Sequence, residues 1–298
     1  MKKIIYHLLL VAILFVPASC SEDDQPNPDV SVVSIEEGEM SEFDKYLEHI
    51  FVEPYNLRLV YKWVDIESDM GYQLVPASYK NSVKMANLIK YVCLDAYAEV
   101  SPDDFLKKYF PKMITLIGSG AYRNNGTMLL GTAESGLKIA LYKVNDLNLG
   151  NINTLYAYYF RTIFHEFSHI LHQTIDYTTD FDRISGTNYV GEGWNSAWGR
   201  NQCYQAGFIS NYSSKEPNED FVELIAHYIT NTPASWEAKL VLAEADGAEG
   251  RQKLNQKMEI IRTYMKEFWD IDIDALRDAI QSRVNNLQQV DLDNITIE

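Results

Sequence analysis

The residues of this 298-residue chain best suited to chemistry lie between Arg161 and His172. The stretch reads Arg161-Thr162-Ile163-Phe164-His165-Glu166-Phe167-Ser168-His169-Ile170-Leu171-His172. His165-Glu166-x-x-His169 is the HExxH pattern. On a helix, residues four apart share a face, so both imidazoles can reach one ion. Glu166 is offset around the helix and suits a water on that ion rather than the ion itself. Zinc is the expected metal, because imidazole and carboxylate ligands suit it and hydrolysis needs no redox change. The chemistry implied is metal-assisted hydrolysis with Glu166 as general base.

Two histidines leave the set incomplete, since a catalytic zinc usually keeps three protein ligands and one open position. A third His six residues on, after a Gly, is one solution, but those positions hold His172 and Ile175. His172 lies about 10 Å along the helix axis from His165. It is read as a cleft-wall residue or a hydrogen-bond partner of a ligand. The other solution is a carboxylate from a later helix. The segment Asn218-Glu219-Asp220-Phe221-Val222-Glu223-Leu224-Ile225-Ala226-His227 supplies two. Glu219 is the candidate third ligand, and Glu223, one turn on, would hydrogen-bond a ligand histidine. His227 is a lower-ranked alternative ligand. Without the upstream motif, Glu219 and Glu223 would be read as solvent-facing, because they point away from the stripe of Phe221, Leu224, Ile225 and Tyr228.

The elements that must position these groups follow from periodicity. From Leu155 to Thr174 the period is helical. Ile163, Phe164, Phe167, Ile170 and Leu171 form an apolar side, and Tyr158, Thr162, His165, His169 and His172 share the other. Upstream, helices are expected at Ser41–Glu53 and Asn81–Ala98, with a further short one capped by Ser101-Pro102-Asp103-Asp104 and ending near Tyr109. Strands are expected at Leu57–Ile66, Met113–Ile117, Thr127–Gly131 and Leu137–Val144. Downstream the signals are helical: Glu219–Thr230, Ala234–Glu244, Gln252–Trp269 and Ile273–Leu287. A small mixed sheet with a helical C-terminal part argues an α+β fold.

The N-terminus reads as an export signal. Lys2 and Lys3 precede the apolar run Leu8–Val16, too short for a bilayer, which needs about 20 residues. The run ends at Pro17-Ala18-Ser19-Cys20, which resembles a bacterial lipoprotein signal with Cys20 as the lipidated residue. Pro17 departs from that pattern, where an aliphatic residue is usual. Residues 1–19 are therefore expected to be a signal peptide and 20–40 a flexible acidic tether. The catalytic domain would occupy 41–298. The chain carries 42 acidic and 26 basic residues, a net charge of −16, with no basic run. A nucleic-acid partner is excluded on that balance, because such proteins concentrate positive charge. Cys93 and Cys203 could pair or stay reduced; no spacing rule decides.

Taken together, His165-Glu166-Phe167-Ser168-His169 and Tyr212…Glu219-Asp220-Phe221-Val222-Glu223 resemble the gluzincin-type peptidases related to the catalytic domain of anthrax lethal factor. There the first Glu of a Glu-x-x-x-Glu helix is the third ligand, and a tyrosine seven residues before it points into the site. Tyr212 holds that spacing. With the lipoprotein start and the phrase His-Glu-Phe-Ser-His-Ile-Leu-His-Gln, the chain is still more similar to one group. These are the zinc-binding metallopeptidases of Bacteroidetes, also called substrate import-associated zinc metallohydrolase lipoproteins. The resemblance implies a zincin-like fold and a peptide or protein substrate. It implies Glu166 as base, Tyr212 as oxyanion donor, and His165, His169 and Glu219 as zinc ligands. By analogy with zincins, Leu137–Val144 would be the edge strand that pairs with substrate. It further implies a lipid anchor at Cys20 in the outer membrane and association with a TonB-dependent import complex. The acidic stretch after Cys20 resembles a surface-export signal, which would face the protein to the cell surface, and a solvated linker facing the periplasm is the alternative. A surface lipoprotein that presents a glycan or peptide to a transporter is the alternative, with Trp194 and Trp198 as stacking surfaces.

Overall fold

Branched and aromatic runs too short for helices pair into a small sheet, and the longer amphipathic runs cover it. The structure is a computed structural model and describes residues 39–64, 71–122, 128–129, 131–134 and 138–297. The expected signal peptide, Cys20 and nearly all of the expected tether lie outside the described residues. Strands β1 (Arg58–Val60), β2 (Met113–Leu116), β5 (Gly131–Glu134) and β6 (Lys138–Leu141) form one sheet of order β1-β2-β6-β5. The first three in that order are parallel, with Met113 paired to Arg58 on one side and to Lys138 on the other. Strand β5 returns antiparallel, Gly131 facing Leu141. Strands β3 (Ala121–Tyr122) and β4 (Met128–Leu129) make a separate two-stranded ribbon.

Helices α1 (Glu42–Leu47), α2 (Tyr79–Leu88), α3 (Asp95–Val100) and α4 (Phe105–Tyr109) precede or interrupt the strands. The motif helix α5 (Arg161–Thr174) follows them. Then come α6 (Pro217–Thr230), α7 (Pro233–Ala243), α8 (Glu249–Trp269) and α9 (Ile273–Asn285). The chain is a mixed α+β protein. Among the described residues no helix is long and apolar enough to cross a membrane.

Three sequence expectations need correction. Leu137–Val144 is not an edge: β6 is hydrogen-bonded to β2 on one side and β5 on the other. Strand β5 pairs antiparallel with β6 and lies outside it in the sheet order. Leu57–Ile66 yields only Arg58–Val60 as strand, with Ile66 outside the described residues. Ser101–Asp104 does not cap α4 by side chain. The Phe105 N–H closes a turn on the Pro102 carbonyl, and Asp104 enters the left-handed region at φ 62°.

The motif helix is seated by aromatic packing. Ile163, Phe164, Phe167 and Leu171 are fully buried. The Phe167 ring lies 5.1 Å from Tyr97, 5.8 Å from Phe105 and 4.9 Å from Phe110, all tilted or edge-on. Such geometry suits ring quadrupoles. Phe167→Ala should therefore destabilise the protein by about 3–5 kcal/mol, measured by urea unfolding, because the rings around it cannot collapse into the hole. A loss under about 1 kcal/mol would show that this cluster does not anchor α5.

Candidate metal centre

Helix α5 presents His165 and His169 one turn apart, and α6 packs across it. The Nε2 atoms of the two histidines are 3.2 Å apart. Glu219 Oε2, from the first turn of α6, lies 3.2 Å from His165 Nε2 and 3.3 Å from His169 Nε2. Three lone-pair donors thus form a nearly equilateral triangle. A tetrahedral zinc with bonds of roughly 2.0–2.1 Å needs ligand atoms roughly 3.3–3.4 Å apart. The triangle matches that size. Ligand atoms of His165, Glu166 and His169 also fall within 4.8 Å of one another. That looser spacing fits a group beside the ion better than one bound to it.

The outer nitrogens are partnered as well. His165 Nδ1 is 2.9 Å from Glu223 Oε1, and His169 Nδ1 is 2.9 Å from His172 Nε2. Partners of this kind fix the ring orientation and leave Nε2 free to ligate. The Ser210 hydroxyl donates to Glu223 Oε2 at 2.6 Å. The Tyr212 hydroxyl donates to Glu219 Oε1 at 2.7 Å, and Lys215 Nζ approaches the same oxygen at 3.4 Å. His227 stands on the far side of Glu223, 3.4 Å from Oε2, rather than in the triangle.

Glu219 and Glu223 are only 7% and 8% exposed, so the solvent-facing default for them is wrong. Their helix is buried along its length because α5 covers the face that periodicity alone would assign to water. Burial opposes charge on both, but hydrogen bonds outweigh it. The partners are His165 and His169 for Glu219, and His165 and His227 for Glu223. Both carboxyls are held well below the usual range. Burial also opposes charge on His165, yet its bonds to Glu219 and Glu223 push its pKa up to about 10. Burial raises that of Glu166. The pattern describes a largely buried pocket with several carboxylates around two imidazoles, one that suits a cation.

Two groups escaped the sequence. Ser210 lies in an irregular stretch with no period to mark it, and Lys215 is one charge among many. The tryptophans also take clearer places. Trp198 donates to Ser214 Oγ at 2.7 Å and packs on Phe208. Trp194 sits edge-on to Tyr212, with ring centroids 5.0 Å apart. Cys93 and Cys203 are buried and free.

Residues 36–274 match the family described as "Putative zinc-binding metallo-peptidase". A crystal structure of a protein from Bacteroides caccae ATCC 43185, described in the same words, superposes with a TM-score of 0.76. It is 41% identical, and the match covers 89% of this chain and 100% of that one. No curated protein matches. The donor triangle agrees with a zinc-binding family, and the match extends over most of the chain. The chain therefore belongs to this family of zinc-binding metallo-peptidases.

Proposed function

We propose that the chain is a zinc peptidase of the gluzincin type, with zinc held by His165, His169 and Glu219. The observation that carries this reading is the triangle of donors, whose 3.2–3.3 Å edges fit a tetrahedral ion. A Glu-x-x-x-Glu helix with Tyr212 seven residues before its first Glu supports the subclass. A bound zinc would supply Lewis acidity, lowering the pKa of a water toward about 7 and polarising the scissile carbonyl.

The chain's own residues do the rest. Glu166 takes the proton of the attacking water and hands it to the leaving amine. Its burial disfavours the carboxylate and so makes it a stronger base. Glu223 accepts from His165 Nδ1 and is itself steadied by Ser210. Tyr212 turns its hydroxyl from Glu219 to the oxyanion that develops on the substrate carbonyl. Burial, with Glu219 nearby, pushes its pKa up, so it stays a neutral donor at working pH. The sheet ends on β5 among the described residues, and that edge suits an extended peptide added as a further strand. The apolar run ending at Cys20 and the acidic tether after it support a lipoprotein setting. There the enzyme would sit on the outer membrane, facing the cell surface, beside a TonB-dependent importer.

Cleavage of a peptide library by residues 21–298 should stop with chelator and return with zinc. Binding of peptide or glycan without any cleavage would favour the presenting lipoprotein instead. Glu166→Gln should keep about one zinc per chain and lose about 10²–10⁴ in kcat. Full activity in that variant removes Glu166 as the base. Glu219→Ala should lower bound zinc by metal analysis; unchanged zinc would move the third ligand to another side chain. Cys20→Ser should shift the full chain from the outer-membrane to the soluble fraction, and a protein that stays with the membrane has another anchor.

A further inference from the structure

Behind the metal centre lies a charge pair with no exposure at all. Lys257 of α8 and Asp220 of α6 are both 0% exposed, with Nζ 2.5 Å from Oδ2. Lys257 also donates to the Gly207 carbonyl at 2.7 Å and lies 4.5 Å from the centre of the Phe208 ring. The Tyr189 hydroxyl donates to the same Asp220 oxygen at 2.9 Å. Among the described residues Asp220 Oδ1 has no partner.

A pair like this is a poor source of stability, because desolvation consumes most of the Coulombic gain. Its use must lie in what it fixes. Asp220 follows Glu219 directly and so projects about 100° round the helix from it. Holding Asp220 against α8 sets the rotation of the first turn of α6. The N-cap residue of that turn, Glu216, makes no side-chain capping bond, and its Asn218 is held by the Tyr177 hydroxyl at 2.8 Å, so Asp220 is the residue of the turn that ties it to α8. The same ammonium grips the start of the loop that carries Ser210, Tyr212 and Lys215 to Glu219 and Glu223. Gly207 can stand there because its φ is +89° and a Cβ would meet Lys253 Cβ at 2.6 Å. One cation thus holds both the helix bearing the third donor and the loop that braces it.

We propose that Lys257 and Asp220 are positioning residues of the metal centre, fixing where Glu219 sits relative to His165 and His169. The proposal rests on the ligand set given above. The test is zinc affinity, measured by competition with a chelating dye, set beside the melting temperature of the metal-free protein. Wild type comes first: if it binds no zinc, the ligand reading itself fails. With wild type binding, the Asp220→Leu/Lys257→Met double variant removes both charges while keeping the volume filled. It should keep its metal-free melting temperature within a few degrees and bind zinc at least tenfold more weakly. Wild-type affinity in the folded double variant overturns the proposal. If the double variant does not fold, Tyr189→Phe decides, since it deletes one hydroxyl and leaves the ring against Phe208. A severalfold weaker zinc affinity at unchanged melting temperature supports positioning, and unchanged affinity overturns it.

Discussion

Three lone pairs aimed at one point, in a largely buried pocket, call for positive charge between them. That constraint organises the crossing of α5 and α6. His165 Nε2, His169 Nε2 and Glu219 Oε2 stand 3.2–3.3 Å apart, and Glu166 and Glu223 bring further negative charge close by. A carboxylate buried this deeply is costly unless it is paired. Here the histidines, a proton or a dication answer it, which is why the same groups that would destabilise an ordinary core can stand at a metal site.

The surroundings make the arrangement rigid. On the far side of α5, the rings of Tyr97, Phe105 and Phe110 enclose Phe167 and anchor the helix against α3 and α4. On the far side of α6, Lys257 and Asp220 join that helix to α8. Between them, the loop from Gly207 to Lys215 sends Ser210 to one carboxylate and Tyr212 to the other. Its outer rim is tied back by backbone bonds from Val190 to Ser214 and from Gly191 to Lys215. Trp194 is thereby brought against Tyr212. A site whose donors must agree to within a fraction of an ångström is better served by such bracing than by the donors alone.

The net charge of −16 has two parts with different physical meaning. A few carboxylates face the donor triangle, where negative charge is needed. Among the described residues many of the others meet solvent or form exposed pairs such as Arg183 with Asp180, which contribute little to stability and favour solubility.

Local spacing was enough to place His165 and His169 on one side of a helix with Glu166 beside them, because two imidazoles four residues apart share a helix face whatever the rest of the chain does. It was enough to mark Glu219 and Glu223 as a pair on one side of a later helix, and to predict an α+β chain of short strands and long helices. It could not say that the face bearing those carboxylates is buried, since that depends on α5 lying across it. Nor could it tell β5 from β6 as the edge, because strand order is a matter of hydrogen-bond partners remote in sequence. Ser210 and Lys257 carry no local signal: each has meaning only through a carboxylate, 13 and 37 residues away respectively, that folding brings within bonding distance. Helical periodicity is a short-range property of the backbone and is written along the sequence. The meeting of lone pairs from two helices is a long-range property, and only the packed structure decides it.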